Sequence, residues 1–276
     1  MKKSNSMWVF IYGALAVMLV YNLTPFFWMV VSSFKSELEV VSYPATLLPN
    51  VFTTDAYEKI WLQEGFLLYF KNSLTVSLST AALSSLVGIF AGYGFSRFRF
   101  KGRLAIMTAF LATQMIPGVL LVGPYFKMMT LTGLYDTLFG LILAQTSITL
   151  PFSVWMIKGY MDTVPIEIDQ AAEVDGASRL QTLFLCIVPL VLPGLVATTI
   201  FAFLLSWGDL LWALCLISDP QKQTMTLGIT QLVGQFRVYW SEIMAATVIA
   251  SIIPACLYLV LQRYLVQGFT EAAVKE

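Results

Sequence analysis

Six stretches of this chain carry no Lys, Arg, Asp or Glu: Ser4 to Phe34, Asn72 to Ser96, Leu104 to Phe126, Thr137 to Ile157, Leu180 to Gly208 and Ile243 to Gln262. Each reaches the ~20 residues that a helix needs to cross a hydrocarbon core at about 1.5 Å per residue. The nearest rival, Val40 to Thr54, is shorter and is interrupted by Pro44 and Pro49. Backbone polar groups in lipid must be satisfied within a helix or a closed barrel. Barrel strands alternate in polarity over about ten residues, and runs such as LAIMTAF (104–110) show no alternation. With 58% hydrophobic and 12% charged residues, the pattern predicts an all-α membrane protein with six transmembrane helices.

This reading divides the chain into residues 1–34, an N-terminal cytoplasmic end and first span; 35–71, an extracytoplasmic loop; 72–263, a core of spans two to six; and 264–276, a cytoplasmic tail. Within the core, 158–179 links spans four and five, and 209–242 is an outer loop. The orientation follows from Lys and Arg. With the N-terminus inside, Lys2, Lys3, Arg97, Arg99, Lys101, Arg103, Lys158, Arg179, Arg263 and Lys275 fall on the inner side, and the densest cluster, RFRFKGR, lies in a short inner loop where the positive-inside rule is strongest. Both termini are then cytoplasmic. The first apolar run is longer than a signal peptide's ~7 to 15 residue core and leads through Tyr21, Phe26, Phe27 and Trp28 without a small-x-small cleavage site, so it reads as an uncleaved anchor.

Several chemistries are excluded. The sequence has no histidine, which removes histidine triads, metal clusters and proton relays. Cys186, Cys215 and Cys256 stand far apart and read as buried thiols. There is no Gly-x-x-x-x-Gly-Lys-Ser/Thr loop to cradle ATP phosphates, and zero net charge argues against nucleic acid.

The polar island at 158–179 stands out. It holds five acidic residues, Asp162, Glu167, Asp169, Glu173 and Asp175, with Pro165 before and Gly176 after a stretch of helix formers. Pro165 suits a first helical turn, Glu167 and Asp169 suit the positive end of the helix dipole, and Gly176 suits a left-handed closing residue. A helix from about Pro165 to Asp175 is only ~16 Å long and needs a docking surface to persist. Its Ala171-Ala172 centre permits close approach by a groove, with Gln170, Glu173 and Asp175 as polar grip. Asp175 is also a candidate cap for a following helix beginning at Ala177-Ser178.

Gln170-Ala171-Ala172-Glu173-Val174-Asp175-Gly176-Ala177, with Pro189 downstream, resembles the EAA loop of ABC importer permeases, the membrane subunits of binding-protein-dependent transporters. The tail from Gln262 to Thr270, with Ala273, Val274 and Lys275, is similar to the end of MalG-like sugar permeases, and Trp207 to Ala213 is similar to a segment many sugar permeases carry after the fifth span. The family's first glutamate is Gln170 here, which implies a neutral hydrogen bond of roughly half the strength of a charged one. In the tail, Glu271, Ala272 and Glu276 replace glycines common in the family. The resemblance implies a type I ABC importer permease fold with a cytoplasmic coupling helix between spans four and five. It implies a non-catalytic subunit that binds no cofactor itself. ATP and Mg belong to two partner ATPase subunits, alongside a second homologous permease, an extracytoplasmic solute-binding protein, membrane lipid and a carbohydrate-type solute, all at a bacterial inner membrane. The coupling residues it implies are Pro165, Glu167, Gln170, Ala171, Ala172, Glu173, Asp175, Gly176, Ala177 and Pro189.

For the solute path the candidates are Gln114, Gln145, Trp207, Asp209 and Trp212, which combine aromatic faces with polar groups; interhelical hydrogen bonding and interfacial anchoring are the plainer roles for such residues. Ser84, Gly88 and Gly92 make a small-residue stripe on the second span, suited equally to packing within the chain or with a second permease. An ion-coupled secondary transporter or a channel is the alternative. A proton-coupled carrier normally keeps ionisable residues within its spans, and these six have none.

Overall fold

The computed structural model describes residues 5–62, 65–234 and 237–273. In chain order its α-helices are α1 (Asn5–Ser33), α2 (Glu37–Val40), α3 (Asp55–Leu62), α4 (Phe66–Arg97), α5 (Arg103–Thr113), α6 (Gly118–Leu131), α7 (Leu138–Asp162), α8 (Glu167–Val174), α9 (Arg179–Gln181), α10 (Val188–Leu190), α11 (Leu192–Trp207), α12 (Leu211–Leu216), α13 (Met225–Thr230) and α14 (Trp240–Ala273). A π-helical stretch, Thr182–Ile187, joins α9 to α10, and Pro220–Lys222 forms a 3₁₀ turn. Among the described residues, strand pairing is confined to one isolated bridge, Val233 to Val238. The tail continues α14 as far as Ala273, and Val274, Lys275 and Glu276 lie outside the described residues.

Four helices are long and apolar enough to cross a membrane as single pieces: α1, α4, α7 and the first part of α14. The third and fifth charge-free runs are not single helices. Each is a bent pair, α5 with α6 at 97° and α9–α10 with α11 at 83°, so the count reaches six when each pair is one span. Proline explains both bends. Pro117, at φ −55° and ψ 126°, breaks the helical path and then caps α6. Pro189 has no N–H to return to the preceding turn, and the widened π-helical turn lies directly ahead of it; Pro193 sits in the first turn of α11, where a missing N–H costs nothing.

The chain forms two compact units. One comprises residues 1–66 and 229–253. Here the end of α1 is held by Phe34, which stacks on Phe52 at 4.5 Å and meets Tyr57 at 5.2 Å, and by the Ser33 to Tyr57 hydroxyl bond of 2.8 Å. The Lys35 ammonium donates to the Thr46 carbonyl and lies 4.6 Å from the centre of the Trp28 ring. The Glu37 carboxylate accepts the Trp240 and Ser241 N–H groups at 2.9 and 3.0 Å, satisfying donors that the first turn of α14 leaves open.

The second unit comprises residues 67–228 and 254–276. Within it α7 packs against α11, and α4 lies against α7. Ser84 and Thr149 hydroxyls bond at 2.6 Å, and a Cβ added to Gly88 or Gly92 would meet Ile157 at 2.7 or 3.0 Å. The stripe therefore packs within the chain. Val76, Leu141, Ile142, Trp212, Leu216 and Leu227 form one core cluster, while Ile89, Tyr93, Ile157, Met161, Leu183 and Ile187 form another around the start of the fifth span.

Candidate functional site

The residues after α7 begin with a constraint. The residue preceding a proline is biased away from helix, so Val164 turns the chain out of α7. The Arg97 guanidinium fixes that turn by donating to the Val164 carbonyl at 3.0 Å. Pro165 consequently lies ahead of the helix instead of in its first turn. Its carbonyl accepts the Ile168 N–H at 3.3 Å, Ile166 is the N-cap, and α8 starts at Glu167, two residues later than the sequence suggests.

The two faces of α8 differ sharply. Asp169 and Ala172 are buried, and Ile168 packs against the cluster around Tyr93, Met161 and Ile187. Asp169 is 3% exposed and is held by two groups from the end of α4. The Tyr93 hydroxyl donates to its Oδ1 at 2.9 Å, and Arg97 Nε lies 2.9 Å from Oδ2, a charge contact without an aligned N–H bond. On the opposite face Gln170, Ala171, Glu173, Val174 and Asp175 are exposed, Val174 at 87%. Ala172 thus abuts the chain's own bundle, and Ala171 is the small residue on the exposed face.

The helix closes as its sequence dictates. Gly176 has φ +80°, the Ala177 N–H reaches the Ala172 carbonyl at 2.9 Å and the Gly176 N–H reaches that of Glu173 at 3.0 Å, the paired bonds of a Schellman ending. Asp175 is the C-cap of α8 and does not cap the next helix. Ser178 does so, through a reciprocal capping box with Gln181. Across this corner Arg179 pairs with Glu173 at 2.5 Å and lies 5.7 Å from the Phe98 ring centre. The inner face of α8 rests on the π-helical stretch that leads to Pro189 in α10. Helix, corner and the head of the fifth span are therefore joined.

Asp169 and Arg97 were not among the sequence-derived site residues. Asp169 sits three positions before Ala172, the spacing of one helical face, and that pattern was the available signal for its burial. Arg97 lies in a basic cluster whose topological role masked a second one.

The solute-path candidates meet in part. Gln145 is 3% exposed; its amide donates to the Asp209 carboxylate at 3.0 Å and its carbonyl oxygen accepts the Ser206 hydroxyl. The same carboxylate accepts the Ala213 N–H at 3.2 Å, at the start of α12, and the Asp209 carbonyl accepts the Thr226 hydroxyl at 2.5 Å. Trp207 packs edge-on against Phe70 and stacks with Phe203, while Trp212 lies 4.8 Å from Tyr125. Both indoles are buried, at 4% and 5% exposure. These four residues make a packed joint between α7, α11 and α12, not the lining of an open cleft. Gln114 lies elsewhere, exposed at the bend of the third span, where its amide donates to the Ile148 carbonyl at 2.8 Å. Among the described residues no group of three or more metal-ligating side chains sits together.

Residues 84–271 match the family described as binding-protein-dependent transport system inner membrane component. The inner membrane ABC transporter permease protein YcjP of Escherichia coli is 38% identical over 96% of this chain and 95% of its own length. The trehalose/maltose transport system permease protein MalG of Thermococcus litoralis is 35% identical over 96% of this chain and 95% of its own. Among solved structures, a chain of a bacterial ABC transporter that imports the acidic polysaccharide alginate superposes with a TM-score of 0.82 at 22% identity, covering 96% of this chain and 99% of that one.

Proposed function

This chain belongs to the family of binding-protein-dependent transport system inner membrane components, and from that membership we propose that it forms half of the translocation pathway of an ATP-driven importer for a carbohydrate-type solute. The two-faced α8 carries the reading. Its inner side is pinned to α4 by Asp169, Tyr93 and Arg97, and its outer side presents Gln170, Ala171, Glu173, Val174 and Asp175 to a partner. An isolated eight-residue helix has no stability of its own in water. Here tertiary bonds hold it, so a push on its outer face passes to α4 and to the head of the fifth span.

In this account α8 seats in a cleft of an ATPase subunit, with two such subunits, a second permease and an extracytoplasmic binding protein completing the assembly. ATP and Mg are held by the ATPases, and both termini of this chain face the cytoplasm. Closure of the ATPase pair rocks the bundle so that its cavity turns outward to accept solute, and hydrolysis returns it. The sugar class rests on the names of relatives such as the trehalose/maltose permease protein of Thermococcus litoralis and the diacetylchitobiose permease protein of Streptomyces coelicolor. Gln114, at the bend of the third span, is the exposed member of the solute-path set, and Gln145, Trp207, Asp209 and Trp212 act as the joint that the motion strains.

The test is uptake by the reconstituted complex. Val174→Asp, on the outer face of α8, is expected to lower solute uptake and solute-stimulated ATPase at least about tenfold, as loss of a central interface contact does, with membrane insertion and melting temperature unchanged. Full uptake by this variant contradicts the proposal. Uptake driven by an ion gradient without ATP favours a secondary carrier instead.

A further inference from the structure

We propose that the cleft between the start of α5 and the end of α7 is a binding site for an anionic phospholipid. The cleft measures about 670 Å³ and is lined by Phe100, Arg103, Met107, Leu111, Trp155 and Lys158, among others. Its two cations lie at one end, Arg103 opening α5 and Lys158 in the last turns of α7. From there the wall runs through Met107 and Thr108 to Leu111, which is about 12 Å from Arg103 along the helix, and is apolar apart from the Thr108 hydroxyl. A charged mouth above an apolar wall is the shape of a phosphodiester headgroup with its acyl chains.

Charge bookkeeping supports the choice of occupant. Of the cations in the loop from 97 to 103, Arg97 is engaged by Asp169. Among the described residues no carboxylate lies within ion-pair distance of Arg99, Lys101 or Arg103. Asp162 feels the charge of Arg103, yet its oxygens are already bonded by Lys158 and by the Ser96 hydroxyl at 2.7 Å. With Lys158 paired to Asp162, Arg103 is the cation of the mouth that the fold leaves without an ion-pair partner, and basic pockets between membrane helices attract anionic headgroups. Trp155, 45% exposed, and Leu104, 79% exposed, supply the interfacial ring and the apolar rim that a lipid covers. A free phosphate would engage the cations and leave the Met107 to Leu111 wall bare.

The assembled transporter, exchanged into an equimolar mixture of phosphatidylglycerol and phosphatidylcholine, is examined by native mass spectrometry for retained lipid. Phosphatidylglycerol is expected to be retained preferentially, with affinity falling about fivefold in Arg103→Gln, the factor for one juxtamembrane cation. Arg103→Lys is expected to restore it, and Trp155→Ala to weaken it without altering complex assembly. Inorganic phosphate is expected not to displace the lipid. Equal retention of the two lipids, retention indifferent to Arg103→Gln, or displacement by phosphate overturns the proposal. So does a partner subunit filling the cleft, because no lipid is then retained there. If Arg103→Gln fails to assemble, the lipid preference of the unaltered complex and the Trp155→Ala arm decide the matter.

Discussion

Asp169 and Arg97 show how much one buried pair can ask of a chain. Their side chains are 4% and 7% exposed, so neither charge is solvated well, and each makes the burial of the other tolerable. Removing one partner strands the other: Arg97→Met or Asp169→Leu is each expected to cost about 3–5 kcal/mol, read as a lowered melting temperature of the purified complex. The double replacement is expected to recover part of that loss, and a double-mutant cycle measures how much. A second carboxylate offers a pH test. Asp136, at φ 55°, accepts the backbone N–H groups of Asp219 and Ser218, both at 2.9 Å, and the Lys222 ammonium at 3.3 Å. The Asp219 N–H is the main cause of a carboxyl held below its ordinary range; partial burial opposes it, and the Ser218 N–H and Lys222 assist. A lowered folded-state pKa stabilises fully above the unfolded value of about 4 and is lost as pH falls through the folded value. The melting-temperature gap between the native protein and Asp136→Asn is thus expected to be wide at pH 6 and to close as the pH falls below the ordinary carboxylate range of about 4.

Glycine positions set the geometry of individual elements. Gly176 stands in the left-handed region with nothing within 4 Å of where a Cβ would be, so Gly176→Ala meets backbone strain alone, about 1–2 kcal/mol. Gly176→Asn, which tolerates that conformation, is expected to lose less uptake. Gly194 presents the opposite case. A Cβ there would lie 2.2 Å from the Tyr160 ring, so Gly194→Ala is expected to destabilise by overpacking, about 1–3 kcal/mol in thermal unfolding. The helices themselves were legible because charge spacing reports what lipid excludes. The bends were not: Pro117, Pro189 and Pro193 were visible, but a proline in a membrane helix is compatible with anything from a mild kink to a broken span, and only packing decides. The end of α8 at Gly176 was legible from local chemistry. Its start was not, because that depends on Arg97, far away in sequence, taking the Val164 carbonyl. The joint around Asp209 was hidden for the same reason, since its bond to Gln145 spans many tens of residues.

At the scale of the whole molecule, one short helix, α8, is fastened to the chain's own bundle on one side and is proposed to seat in a separate ATPase on the other. The membrane-spanning fold and the family are established by the sequence match and the superposition. What transmits force is the proposal. A photo-crosslinking amino acid placed at Val174 in the assembled transporter tests it most directly. Crosslinking to an ATPase subunit, changing in yield between nucleotide-free and ATP-bound complexes, is the predicted result; crosslinks confined to lipid or to this chain itself contradict the account.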